Sequence, residues 1–139
     1  MNKLYSIIAF LVIISTLASC SKNNPPTGAY IGKFEGNYMR YEKEENLVLG
    51  GVQLQITETD NDHIIINGSR LEKDGKKIKG TLNDVFFNQG GSPITIDGKR
   101  VRNNGHYDIE GTFESTIIVS KNPWVESVIT GTFTIDTAY

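Results

Sequence analysis

Residues 105–120 read GHYDIEGTFESTIIVS, and their alternation restricts the fold more than any other feature of the chain. Tyr107, Ile109, Gly111, Phe113, Ser115, Ile117 and Val119 share one parity, while His106, Asp108, Glu110, Thr112, Glu114 and Thr116 share the other. A period of two held this long belongs to a strand with one dry face and one wet one, and no helical period competes with it. Residues 125–136 repeat the pattern, with Val125, Ile129, Phe133 and Ile135 inward and Glu126, Thr130, Thr132 and Thr134 outward.

Upstream, AYIGKFEGNYMRY puts Tyr30, Phe34 and Tyr38 on one face with Gly32 and Gly36 between them, and GGVQLQITET opposes Val52, Leu54 and Ile56 to Gln53, Gln55 and Thr57. HIIING and KIKGTLNDVFF are shorter strand candidates. Turn chemistry falls at 60–62, 73–76, 88–93, 103–105 and 121–123. Asp97-Gly98 stands between two strand-like runs and reads as a hairpin turn. The expected fold is all-β, an antiparallel up-and-down barrel of about eight strands that closes to remove its edges. A β-sandwich is the alternative. Glycine two residues before an inward aromatic, in GKFEG and GTFES, suits strongly coiled strands in which a neighbouring ring lies over the glycine. A membrane-spanning barrel is excluded, because lipid-facing positions must be apolar and the outward faces carry Asp, Glu and Thr.

The first residues set the location. MNK is followed by 16 uncharged residues, 4–19, too short a run for a membrane-crossing helix, and small residues lead into Cys20. This is the pattern of a secretory signal peptide over 1–19. Cys20 is the only cysteine, so an internal disulfide, a cysteine nucleophile and a thiolate metal cluster are not expected. Residues 20–28 continue as a polar tether with a Pro-Pro pair, extended and semi-rigid. The domain follows over 29–139. Cleavage before Cys20 removes one of the 14 basic residues and none of the 16 acidic ones, leaving 120 residues with a net charge of −3. No basic stripe fit to follow a phosphate backbone remains, so nucleic acid is not an expected partner.

Leu17-Ala18-Ser19-Cys20 resembles the lipobox of bacterial lipoproteins, which implies palmitate-type acylation of Cys20 and anchoring in a membrane, and Ser21 in place of Asp then implies the outer membrane. Acyl chains contribute about 0.8 kcal/mol per buried CH₂, so two or three hold a protein durably. Together with the Pro-containing tether, the opening strand around Gly32-Lys33-Phe34 and the closing GTF strands, the chain resembles small lipocalin-like lipoproteins of Bacteroidetes. That resemblance implies a barrel without an established activity.

Several residues are candidates for function. Tyr30, Phe34, Tyr38, Tyr107, Phe113 and Phe133 are expected to line the interior, either filling it or bounding a cavity for a small apolar ligand. Trp124, the only Trp, follows Pro123 at a hairpin mouth. The rigid loop favours its folding over the barrel end as a plug, whereas its parity favours an exposed contact for a partner protein or glycan. Thr137, in DTA, resembles an O-glycosylation acceptor of exported Bacteroidetes proteins. NGS at 67–69 fits an N-glycosylation pattern that carries little weight in a bacterial exported chain. Asp108, Glu110 and Glu114 share a wet strand face and are read as solubilising rather than catalytic. His63 and His106 are the only histidines and have no Cys or His at ligand spacing, and DNDH lacks the Gly and distant Glu of a calcium loop. No metal, cofactor or enzymatic activity is expected. The expected function is therefore a non-enzymatic, lipid-anchored lipoprotein that binds a small apolar ligand, or an interaction, inhibitor or accessory protein working through its loops.

Overall fold

The computed structural model describes residues 24–83, 85, 93–103 and 106–138, with the backbone alone at 102, 103, 106 and 107. Cys20 lies outside the described residues, as does the Tyr107 side chain. Eight strands follow one another along the chain: β1 (Gly28–Arg40), β2 (Lys43–Thr59), β3 (His63–Ile66), β4 (Ser69–Asp74), β5 (Lys77–Leu82), β6 (Ile94–Asn103), β7 (His106–Lys121) and β8 (Trp124–Thr137). Each pairs antiparallel with the next, and β8 returns to β1, closing the barrel. This is the up-and-down topology expected from the alternation.

Parity carries through the walls. Tyr30, Phe34, Tyr38, Leu54, Ile56, Ile64, Ile66, Leu71, Ile78, Ile96, Ile109, Phe113, Ile129, Phe133 and Ile135 all belong to one buried interior cluster. At its centre Phe34 stacks on Phe133, with ring centroids 5.7 Å apart and planes at 21°, and meets Phe113 edge to face at 5.6 Å and 84°. Both geometries favour aromatic contact beyond simple burial. Among the described residues, these three rings pack against one another in the middle of the barrel.

Glycines opposite the rings make room for them. In the β7–β8 register Gly111 faces Phe133 and Phe113 faces Gly131, while Gly36 faces Gly131 between β1 and β8 and Gly98 faces Gly111 between β6 and β7. A Cβ on Gly36 would come within 2.8 Å of the tip of Phe113, and one on Gly98 within 2.7 Å of the tip of Phe133. The Gly–Gly pairs are the points where backbones approach closest, which lets the sheet fold sharply around a narrow interior. β2 adds a bulge opposite Gly32–Phe34, where Gly51 takes a φ of +65°.

Asp97-Gly98 is not a turn. Both lie inside β6, paired with Thr112 and Gly111 of β7. Gly98 continues the inward parity of Ile94 and Ile96, so its role is to lie beneath a ring. The Asn-Gly turn is at Asn67-Gly68, joining β3 to β4 in two residues with φ of 49° and 78°. Asn67 holds its place by accepting the Gln55 N–H at 2.7 Å through Oδ1.

Candidate functional site

The two ends of the barrel differ. At one end lie the start of β1, the β2–β3 and β4–β5 turns and the end of β8. The tether is fixed here: the Tyr30 hydroxyl donates to the Pro26 carbonyl at 2.7 Å, and Asn24 Nδ2 donates to Asn61 Oδ1 at 3.3 Å. The β1–β2 and β7–β8 turns lie at the opposite end. β8 runs from Trp124 to Thr137, a length of roughly 40 Å at strand rise, so Trp124 and the tether stand at opposite poles.

At the distal pole β1 and β8 part, because their pairing stops at Asn37↔Thr130. Beyond that point several outward positions are apolar, Met39 on β1, Val128 and Trp124 on β8 on either side of the outward Glu126, with Tyr41 on the β1–β2 turn, and all four apolar residues are exposed. Trp124 is 56 % exposed, and its indole N–H donates to Glu126 Oε1 at 2.9 Å along its own strand. Trp124 is therefore not a plug. Strand parity governs over the stiffness of the Pro123 turn, because β7 and β8 stay paired out to Lys121↔Trp124 and fix the outward direction. Tyr38, Ile117 and Val119 cover this end of the interior instead. The β1–β2 tip is tied to β7 by Arg40, which donates to the Val119 carbonyl at 3.3 Å and to Glu45 at 3.2 Å, while the Tyr38 hydroxyl also donates to Glu45 at 2.8 Å.

Trp124→Ala is expected to leave the urea midpoint within about 0.5 kcal/mol of the parent, as for other surface substitutions. A loss near the cost of deleting a buried ring, about 3–5 kcal/mol, would contradict the exposed placement.

A concavity lies along the wall. A groove of about 910 Å³ runs along β4 to β8, lined mostly by outward residues and also by the inward Lys73, Gly98 and Phe133. Its lining mixes Lys77, Lys79 and Lys99 with Glu72, Asp74, Asp97 and Glu110, beside Thr112, Thr132 and Thr134. Opposite charges mostly face each other across strands, with Asp74 opposite Lys77, Glu72 opposite Lys79, Lys79 opposite Asp97 and Lys99 opposite Glu110, while Lys77 stands opposite Lys99. Such a surface carries no single-sign field with which to steer a charged ligand. Glu110 and Glu114 stand on this wet side as exposed residues, in keeping with a solubilising role.

Of the interior candidates, Tyr30, Phe34, Tyr38, Phe113 and Phe133 are buried together. Thr137 ends β8, half-buried, and its hydroxyl donates to Asp136 at 3.3 Å. Inside the tether end, Lys73 and Arg100 take the inward positions and are mostly covered. Burial, then the nearby Arg100, lowers the Lys73 pKa below that of an ordinary lysine, against the pull of Asp60 and Asp62. No protein family, curated protein or solved structure matches the chain.

Proposed function

We propose that this chain is a non-enzymatic lipoprotein of the outer membrane, anchored through acylated Cys20, whose barrel is a rigid scaffold that presents its distal pole to a partner protein or glycan. One observation carries the reading: the only Trp stands exposed at the pole away from the tether, where Met39, Tyr41 and Val128 are exposed as well. A lipid-anchored domain points that pole outwards. Solvent-facing aromatics with an apolar surround are the usual anchors of interfaces. A small apolar ligand in the barrel is the other reading, and it requires the stacked rings of Phe34, Phe113 and Phe133 to give way. The interior packing supports the partner role over that ligand.

Cys20→Ser is expected to move the protein from the membrane fraction to the soluble one, checked by fractionation in high salt. Retention in the membrane would end the anchoring reading. For the partner, a photo-crosslinking residue at 128 is compared in intact cells with one at 112 in the outer groove. Discrete adducts from 128 alone support the distal pole. Adducts from 112 alone would move the contact to the groove, and a lipid of one-to-one stoichiometry extracted from the anchor-free protein would restore the interior ligand.

A further inference from the structure

At the tether end, the pairing of β2 with β3 breaks register between Ile56 and Glu58, and the turn at 60–62 leads into β3 at His63. Asp60 Oδ1 accepts the backbone N–H of Asp62 at 2.8 Å and of His63 at 2.9 Å, and it lies 3.0 Å from His63 Nδ1. A carboxylate at Nδ1 holds the ring proton there, which leaves the lone pair on Nε2. Nε2 faces Glu58 Oε1 at 3.2 Å, in a side chain only 9 % exposed, and it makes no hydrogen bond among the described residues. With the ring proton on Nδ1, two acceptor atoms face each other, Nε2 covered and the Glu58 carboxylate partly in solvent, an arrangement that a cation between them relieves.

That cation is either a proton or a metal ion. Two donors on a tetrahedral ion, with bonds of about 2.0–2.1 Å, are separated by about 3.3–3.4 Å. The Nε2 to Oε1 distance of 3.2 Å matches this span. One donor atom from each of Glu58, Asp60 and His63 lies within 4.8 Å of the other two. We propose that His63 Nε2 and Glu58 bind a divalent ion of the zinc class, with Asp60 as the positioning residue that fixes the imidazole. A carboxylate behind a ligating imidazole is the usual arrangement around such ions. The imidazole donor selects borderline transition ions over calcium or magnesium, which prefer oxygen alone. Arg70 and Lys73 lie in the field of Asp60, so the affinity is moderate. The site lies on the hairpin whose Asn61 holds the tether, so the ion would stiffen the end of the domain nearest its anchor.

Isothermal titration of the purified full-length protein at neutral pH, with zinc chloride and separately with calcium chloride, tests this. One saturable zinc site per chain and no calcium binding are expected. His63→Gln abolishes the site, Glu58→Gln weakens it at least tenfold, and Asp60→Asn weakens it about 10–100-fold. His106→Gln leaves it unchanged. Glu58 is more than half exposed, so Glu58→Gln decides the matter if His63→Gln does not fold. The inference is overturned if no saturable zinc heat is seen, or if Glu58→Gln binds like the parent. It is equally overturned if nitrogen-15 spectra of the metal-free protein show Nε2 protonated in mild alkali and undisturbed by zinc, because a proton then bridges the pair.

Discussion

Replacing Phe34 with Ala is expected to cost about 3–5 kcal/mol, a large share of the roughly 5–15 kcal/mol that holds a domain of this size together. Phe34 is fully buried and is the ring that both others touch, stacked on Phe133 and edge-on to Phe113. Truncation removes its own transfer from water and leaves a cavity between rings that glycine-bearing strands hold in place. Gly32, Gly36 and Gly131 offer no side chains to fill the space, so collapse is limited and the cost lies towards the upper end. A urea melt reads the loss, with Phe34→Leu recovering much of it because volume is restored. A midpoint for Phe34→Ala within about 1 kcal/mol of the parent would mean that the three rings do not form the core described here.

Gly131→Ala is expected to be nearly as damaging, although it adds only one methyl group. A Cβ at Gly131 would stand on the Glu35 carbonyl oxygen and 2.5 Å from Gly36 Cα. Both are backbone atoms of β1 and cannot rotate away. β1 and β8 must then separate at the point where the barrel closes, and overpacking of this kind costs about 1–3 kcal/mol or more. Gly111→Ala meets the same obstacle at the Asp97 carbonyl and Gly98 Cα. Gly50→Ala is the control: nothing lies within 4 Å of its added methyl, and the change is expected to stay within about 0.5 kcal/mol. Thermal melts of the four proteins check the order. Equal midpoints for Gly131→Ala and Gly50→Ala would rule out the close approach of β1 and β8.

These two results bear on how the sequence encodes the fold. The closed barrel was legible because long strands with one wet face announce themselves through parity, and Tyr30, Phe34, Tyr38, Phe113 and Phe133 face inward as that parity demands. The hairpins were less legible. Asp97-Gly98 has the composition of a turn, yet its glycine is needed under Phe133, and only the neighbouring strand reveals that need. Asn67-Gly68 is a two-residue turn of the usual kind, yet the sequence does not announce it as one, since Ser69-Arg70-Leu71-Glu72 is too short and too charged to stand out as a strand. At Trp124 two local signals conflicted, and strand pairing, a non-local property, decided between them. The exposed apolar residues of the distal end were not legible, because Met39, Tyr41 and Val128 are single outward residues on separate segments, and only the topology places those segments at the same pole. Of the Glu58–Asp60–His63 group the sequence offered only DNDH, which lacks the marks of a calcium loop; Glu58 lies outside that stretch, next to the break in β2–β3 register, and only the fold brings its carboxylate to 3.2 Å from the imidazole.

The central claim is that the barrel is filled by its own side chains and turns its one indole outwards, at the pole away from the tether. Because Trp124 is the only Trp of the chain, intrinsic fluorescence reports on that residue alone. Acrylamide quenching of the native protein, compared with the same protein in urea, tests the claim most directly. The predicted result is an indole that acrylamide reaches in the native state nearly as well as in the unfolded one, with little red shift of emission on unfolding. A blue-shifted native emission shielded from acrylamide, exposed only when the barrel unfolds, would contradict it and put Trp124 back inside the barrel mouth.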